Sequence, residues 1–307
     1  MKASSLGVKH IVERYVWFEA GGGRVPSFGS WALRKGGDGV TLDAFVRSAP
    51  RLFVLTGAGC STASGIPDYR DESGAWKNKP PVQFQDFIAS EATRRRYWAR
   101  SLVGWARVSA ANPTAAHTAL AALERVGAIS TLVTQNVDGL HQKAGSQAVI
   151  DLHGRLDTVR CLDCGAPVSR AAIQGELVAS NPLWRRRDAA NAPDGDAQLE
   201  GPFDDVVVPA CPFCGGVLKP DVVFFGENVP KARLADCYSG LARADGVLVV
   251  GSSLMVFSGY RFCLAAAELG KPVALVNRGK TRADDLAQVK VEGDCGDVLH
   301  DLLGRLR

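Results

Sequence analysis

Two matched cysteine pairs, Cys161-x-x-Cys164 and Cys211-x-x-Cys214, constrain this chain more than any other feature, and 46 residues separate them. A C-x-x-C turn sets two thiolates the right distance apart to take two corners of a tetrahedron. Gly165 and Gly215-Gly216 supply the permissive backbone that such a knuckle needs. Four cysteines close the coordination shell and leave no position for water. The pattern therefore predicts one structural zinc ion held by Cys161, Cys164, Cys211 and Cys214, with no part in the chemistry. The other reading of a C-x-x-C pair is a redox-active dithiol. A redox fold needs one such pair near a helix start, and this chain has two, each followed by Gly. The other four cysteines are scattered.

A chain of 307 residues with 46% hydrophobic content can bury a large core, typically about 75% of its extended surface. One large domain with a smaller attachment is expected. Lys plus Arg number 36 against 32 Asp plus Glu, a formal net charge of +4, too near balance for a nucleic-acid footprint. The runs Arg94-Arg95-Arg96 and Arg185-Arg186-Arg187 read as solvated faces. No apolar stretch approaches the roughly 18 residues that a membrane span needs. Residues 1 to 38 lack the apolar core of a secretory signal, and zinc-type cysteines fit a reducing compartment. The expected address is cytoplasmic, or the mitochondrial matrix if the source is eukaryotic, and the expected state is monomeric.

Residues 1–40 read as an appendage bracketed by Gly21-Gly22-Gly23 and Gly36-Gly37-Asp38-Gly39, with an amphipathic stretch Ile11 to Phe18 that could dock on the body. Thr41 is the predicted N-cap of a helix Leu42 to Ser48. Strands are predicted at Leu52 to Thr56, Ile129 to Thr134, Val149 to Leu152, Val222 to Phe225, Val247 to Gly251 and Val273 to Asn277. Helices are predicted at Thr114 to Val126 and Tyr260 to Leu269, each closed by a Gly. Continuous apolar strands alternating with helices predict an α/β, Rossmann-like parallel sheet with helices on both faces. It comprises residues 41–154 and 218–307, interrupted at 155–217 by a small zinc-binding module with a long insertion.

Ligands of such sheets bind in the loops that leave the carboxyl ends of the strands. Gly57-Ala58-Gly59 follows the first strand, lets backbone N–H groups approach a phosphate and leads toward a helix start. The third Gly of the dehydrogenase fingerprint would fall at Thr62, so this is a different motif. Gly279-Lys280-Thr281 mimics the end of a P-loop whose leading Gly would have to be Ala274, and is rejected. After the second strand, Gln135, Asn136 and Asp138 form either a ribose- and amide-binding set or an Asx-type helix cap. His153 ends the third strand beside Gly154, which leaves its imidazole accessible. It is a candidate general base or a structural histidine.

Taken in order, G-A-G-x-S-x-x-S-G-I-P-D-Y-R from Gly57, N-P-T-A-A-H from Asn112, T-Q-N-V-D-G-L-H from Thr134, L-H-G from Leu152, and the two C-x-x-C pairs resemble the sirtuins. Lys219 to Glu227, Gly251-Ser252-Ser253-Leu254 and Asn277 extend the resemblance over roughly residues 41 to 304. Tyr69, the Tyr97-Trp98-Ala99-Arg100 segment, Ala192 to Asp196 and Val256 to Arg261 resemble the class II branch, which holds the mitochondrial sirtuin-4 type. The resemblance implies an NAD-dependent protein lysine deacylase, a transferase whose products are free lysine, nicotinamide and O-acyl-ADP-ribose. His153 would be the base, with Asn136 and Asp138 beside it. Gly57, Ala58, Gly59, Ser61 and Gly65 would lie along the diphosphate segment, which runs to about Lys77. Asp68, Tyr69 and Arg70 would shape the nicotinamide end. Gln135, Asn136, Val137 and Asp138 would hold the ribose and amide. Gly251, Ser252, Ser253, Asn277, Arg278, Gly279 and Cys295 would surround the adenosine end. The partner implied is an acylated lysine in an extended peptide, paired between the strip Val223, Phe225, Gly226, Glu227 and a facing strip Phe257 to Gly259.

The 46 residues between the cysteine pairs exceed the roughly 15 to 20 common for such sites. They form either a surface loop or a segment that approaches the site. On a predicted helix Glu91 to Val108, Tyr97 and Arg100 share a face and resemble the pair by which acidic-acyl sirtuins hold a carboxylate. Longer or acidic acyl groups are therefore expected, unless Tyr97 packs in the core and Arg100 lies in water. The alternative activity is NAD-dependent mono-ADP-ribosylation of protein. A non-catalytic NAD sensor or zinc-ribbon module would not need His153.

Overall fold

The computed structural model describes residues 40–306 apart from 74, 76, 78–80, 188, 191, 193 and 194. The appendage through residue 39, with its stretch Ile11 to Phe18, and part of the 191–198 turn lie outside the described residues. In chain order the elements are α1 (Leu42–Ser48), β1 (Leu52–Thr56), α2 (Phe84–Ala89), α3 (Glu91–Ala110), α4 (Ala115–Arg125), β2 (Ile129–Thr134), α5 (Leu140–Lys143), β3 (Val149–Asp151) and β4 (Gly154–Cys161). Then follow β5 (Pro167–Ser169), α6 (Arg170–Ser180), β6 (Leu218–Val222), α7 (Lys231–Arg243), β7 (Gly246–Val250), α8 (Phe257–Glu268), β8 (Val273–Val276), β9 (Val289–Val291) and α9 (Cys295–Leu306).

Six strands form one parallel sheet in the order β3-β2-β1-β7-β8-β9. Strands β1, β7 and β8 are apolar without interruption and wholly buried, as a sheet covered on both faces requires. One face packs on α7 and α8 through Leu234, Leu241 and Phe262. The other packs on α1, α4 and α9 through Phe45, Leu120 and Leu299. Strand order reverses between β1 and β7, which makes the crevice beyond their carboxyl ends the place where a ligand can enter.

β1 and β2 run over their expected residues, whereas the strand expected at Val222 to Phe225 does not join the parallel sheet. Leu218, Lys219 and Pro220 pair antiparallel with Cys161, Arg160 and Val159 of β4, and β5 completes a second, three-stranded sheet. Beyond Val222 the chain peels away, with Val223 N donating to His153 O at 2.8 Å. Helix α7, strand β9 and helix α9 were not anticipated; β9 is only three residues, too short for alternation to register.

The small sheet and α6 share a core with α2 and α3, built from Phe87, Tyr97, Trp98, Val159, Ile173 and Trp184. Arg170 of α6 is buried here, its guanidinium 5.0 Å from the Trp105 ring and 5.5 Å from Trp98, and it donates to Ser101 O at 3.1 Å. Burial pushes its pKa down to about 10, still high enough to keep the cation.

All four pair cysteines converge, with every sulfur within 4.8 Å of the others. Cys161 and Cys214 sulfurs are 3.5 Å apart and Cys164 and Cys211 sulfurs 3.8 Å. Tetrahedral Zn–S bonds of about 2.3 Å demand an S···S edge of about 3.8 Å, so the donor set fits a structural zinc. Purified protein is expected to carry one zinc per chain. Structural zinc contributes on the order of 10 to 16 kcal/mol of apparent binding free energy in small modules, so chelation should loosen the small sheet and expose Trp98 and Trp184. A red-shifted tryptophan emission and a lower Tm on stripping check this; a zinc-free protein with an unchanged Tm would contradict it.

Candidate active site

At the switch point the loops after β1 and β7 meet backbone to backbone. Gly59 N donates to Gly251 O at 2.8 Å and Gly57 N to Val250 O at 3.1 Å. A Cβ on Gly57 would stand 2.7 Å from Ser252 Cβ, and one on Gly59 would stand 2.9 Å from Gly251 Cα. No side chain fits either position. The segment continues as two three-residue 3-10 turns, Ala58–Cys60 and Thr62–Ser64. The expected helix start does not follow, so anion binding here would fall to local amides without a long helix dipole. Leu254, on the neighbouring wall, has φ of 58°, alone among the described non-glycine residues in the left-handed region. Its N–H donates to Ser252 Oγ at 3.2 Å.

The polar set after β2 ties these loops together. Gln135 Nε2 donates to Ser252 Oγ at 2.8 Å and Thr56 O at 3.2 Å. Asn136 Nδ2 donates to Gly57 O and Ser61 Oγ, both at 3.0 Å, and Ser61 Oγ donates to Asp138 Oδ2 at 2.7 Å. Asp138 Oδ1 accepts from Leu140 N at 2.9 Å. One carboxylate thus serves both sequence readings: it caps α5 and reaches the glycine loop.

His153 Nδ1 lies 2.9 Å from Gln135 O and Nε2 lies 2.8 Å from Ser258 Oγ. A carbonyl only accepts, so Nδ1 carries the proton, and Nε2 offers its lone pair, to which the Ser258 hydroxyl donates. Burial pushes the imidazole pKa down to about 4, which leaves it neutral and able to take a proton at ordinary pH. Gly154 has a role other than the access expected of it. With φ of 80°, it lies where a Cβ would be 1.9 Å from Asp221 O, so it is the backbone approach of β6 that excludes a side chain. His117 and His141 are fully buried beneath the floor with ring centroids 4.6 Å apart. His141 Nε2 is 2.9 Å from Thr56 Oγ1, and burial pushes the His141 pKa down to about 3.

These groups line one cavity of about 690 Å³. It takes in Gly57, Ala58, Gly59, Ser61, Asp68, Tyr69, Arg70, Lys77, Gln135, Asn136, Val137, Asp138, His153, Gly251, Ser252, Ser253, Asn277, Arg278 and Cys295, and on the other side Tyr97, Val223, Phe225, Gly226 and Glu227. Three expected residues are not among its walls. Gly65 ends the second 3-10 turn at φ of 80°. Gly279 backs onto the segment behind, where a Cβ would be 2.5 Å from Glu72 O. Arg100 turns onto the insertion, its Nε donating to Ala197 O at 2.9 Å while Ala197 N donates to Arg100 O at 3.0 Å. Tyr97 itself sits in an aromatic cluster with Phe87, Trp98 and Phe224.

The strip Val223 to Glu227 is braced by Lys219, whose buried Nζ is 3.0 Å from Glu227 Oε2, while Phe84 N donates to Phe225 O at 2.8 Å. The facing strip expected at Phe257 to Gly259 is the first turn of α8, so it offers no extended edge for a strand. Sequence reasoning placed Ser258 only in that strip and missed its contact with His153, 105 residues away. It missed Ile66, Val108, Leu156 and Gly195 on the walls as well. Gly195 brings the long insertion to the cavity. Its φ is 81°, a Cβ there would be 2.5 Å from Leu156 Cδ1, and only Gly104 on α3 lets it approach, since a Cβ at 104 would be 2.4 Å from Gly195 O.

Comparison with known proteins places this arrangement. The model of the family described as "Sir2 family" matches residues 57–258. An NAD-dependent protein deacetylase of Xanthomonas campestris pv. campestris (strain 8004) is 61% identical over 262 residues, covering 85% of this chain and 89% of the relative. The NAD-dependent protein deacetylase of Bordetella bronchiseptica (strain ATCC BAA-588 / NCTC 13252 / RB50) is 57% identical over 263 residues, covering 85% and 96%. Among solved structures, one described as "Sir2-p53 peptide-NAD+" superposes with a TM-score of 0.70 at 30% identity, covering 85% of this chain and 95% of that one. With the glycine loop, the cavity-wall histidine and the four-cysteine cluster in one fold, the chain belongs to the Sir2 family.

Proposed function

We propose that this protein removes acyl groups from lysine side chains of proteins, with NAD consumed as co-substrate. The observation that carries the reading is His153, a half-buried neutral imidazole with its proton fixed on Nδ1 and its Nε2 lone pair directed at a hydroxyl, on the wall of a cavity that also contains the glycine loop. NAD, when bound, supplies a ribose carbon activated by the departure of nicotinamide. The amides of Gly57 to Ser61 with Ser252 and Ser253 suit the diphosphate, since glycines with no room for a Cβ form a backbone cradle. Gln135, Asn136 and Asp138 orient the ribose and carboxamide, Asp68, Tyr69 and Arg70 close over the nicotinamide end, and Asn277, Arg278 and Cys295 border the adenosine. His153 Nε2 accepts one proton from a substrate hydroxyl. The peptide lies along Val223 to Glu227 on one side.

For the acyl group, the deep wall is apolar, formed by Ile66, Tyr97, Val108, Leu156 and Val222, with Gly195 beside them. That supports extended aliphatic acyl chains over acidic ones, because the cation expected to hold a carboxylate, Arg100, is engaged with Ala197 outside the cavity. Gly195 on this wall, together with the Tyr97 to Arg100 and Val256 to Arg261 segments, supports a class II assignment. We assign residues 41–153 and 223–307 to the NAD-binding domain and 154–222 to the zinc module, since β6 pairs with β4 and moves the boundary past the expected 217; the module recruits α2 and α3 into its core. The reading takes the enzyme to act in a reducing compartment such as the cytoplasm, which zinc-type cysteines suit. Nicotinamide release that persists without an acylated peptide would instead favour mono-ADP-ribosylation.

Four measurements test the site. His153→Ala should lower kcat by about 10² to 10⁴, the usual yield of general-base catalysis, while the Kd for NAD stays within about twofold; unchanged turnover would remove His153 from the chemistry. Because burial lowers its pKa to about 4, the base form persists as pH falls through the ordinary imidazole value. The acid limb of kcat/KM assigned to His153 should therefore lie near pH 4, and a limb at about 6.5 would contradict the assigned burial. Val108→Phe should fill the deep wall and cut activity on a medium-chain acyl peptide about tenfold more than on an acetyl peptide, and Arg100→Met should affect acidic and neutral acyl peptides alike.

A further inference from the structure

Cys60 and Cys295 are the two thiols that neither zinc binding nor the proposed chemistry uses and that the fold nonetheless places together. Cys60 ends the 3-10 turn of the glycine loop and Cys295 opens α9, whose start packs on that turn. The Cys60 sulfur donates to Val250 O at 3.4 Å and the Cys295 sulfur to Val276 O at 3.9 Å. Val250 and Val276 are register partners on β7 and β8. Neighbouring strands are about 4.8 Å apart, so the two accepting carbonyls are close neighbours, and both thiols lie in one buried cluster. Only Cys295 borders the cavity. Cys237 and Cys263 lie on the opposite face of the sheet, in the other core.

We propose that Cys60 and Cys295 are an oxidisable dithiol: a hydroperoxide entering the empty cofactor cavity converts them to a disulfide that disables the glycine loop. The Cys295 sulfur attacks one peroxide oxygen, the O–O bond breaks, and the departing hydroxide takes the thiol proton as water, leaving a sulfenic acid. The Cys60 sulfur then attacks the Cys295 sulfur. The S–O bond breaks, hydroxide leaves with the Cys60 proton as a second water, and the S–S bond remains. Two thiols are oxidised by two electrons and one peroxide is reduced. The order of attack follows from the environment. Cys295 borders the cavity by which a peroxide would arrive, whereas Cys60 does not border it. The thiol on the cavity wall therefore meets the peroxide first, and the other is the resolving thiol.

Function follows from the lack of slack in the loop. Gly59 is bonded to Gly251, and a Cβ on Gly251 would lie 2.6 Å from Cys60 N. Drawing Cys60 toward α9 must therefore disturb the amides that face the cavity.

The test treats the zinc-loaded full-length enzyme with hydrogen peroxide, then maps disulfides by mass spectrometry under non-reducing conditions. Zinc release is followed in parallel with a chromogenic chelator. A peptide linked through Cys60 and Cys295 is expected before zinc is lost. It should accompany a KM for NAD raised roughly tenfold or more, the scale of a small misplacement at a binding loop, and be reversed by dithiothreitol. Cys60→Ala, compared with its own untreated activity, should lose the dithiothreitol-reversible component. Saturating NAD should protect Cys295; this arm and the KM readout rest on NAD occupying the cavity, while the linked peptide does not depend on it. Inactivation that tracks zinc release with no Cys60–Cys295 link, or a link through Cys237 or Cys263 instead, overturns the proposal. Should Cys60→Ala fail to fold, the disulfide map of the unaltered enzyme decides.

Discussion

The contact on which the rest of the site depends is the backbone meeting of Gly59 with Gly251, where an amide donates to a carbonyl at 2.8 Å with no room for a Cβ on either side. It joins the two strands at which the sheet reverses its order. Because neither loop carries a side chain there, amides rather than side chains form the wall, and the polar residues after β2 can reach both loops at once. Gln135 spans to Ser252, and Asn136 and Asp138 reach Gly57 and Ser61. The result is a rigid frame whose polar groups are paired before any ligand arrives, which lowers the ordering cost of binding.

The same frame determines the state of His153. A single carbonyl from Gln135 settles its tautomer, Ser258 marks where the lone pair points, and burial keeps it uncharged. Desolvation lowers basicity, so this imidazole is a weak base in thermodynamic terms. Its strength lies in being deprotonated and aimed whenever a hydroxyl is delivered to it.

The zinc module influences the cavity without contributing metal chemistry. Its sheet shares a core with α2 and α3, so the wall that carries Tyr97 and Val108 is supported from behind by Arg170 and by the two tryptophans that flank it. The insertion between the cysteine pairs returns through Gly195 to touch Leu156. A structural metal can in this way bear on substrate choice, by holding the insertion against α3.

Much of this was legible in the residues themselves. Uninterrupted apolar runs at Leu52–Thr56 and Val273–Val276 can only be interior strands, and paired C-x-x-C turns have few uses besides a closed metal shell. The glycine loop and the polar run at Gln135 to Asp138 announce a ligand because such residues are costly in a core. What the chain alone could not disclose were contacts between distant segments. Val222 to Phe225 reads as a buried strand, and only the pairing of Leu218 to Pro220 with β4 shows that the strand lies upstream, in the second sheet. Phe257 to Gly259 has no helical signature by itself and becomes the first turn of α8. Arg100 shares a helical face with Tyr97, yet the carbonyl of Ala197, 97 residues away, turns it from the cavity. Local periodicity and motif chemistry determine which elements exist and which loops hold polar groups. The direction in which each side chain points is decided by partners that only the folded chain brings within reach.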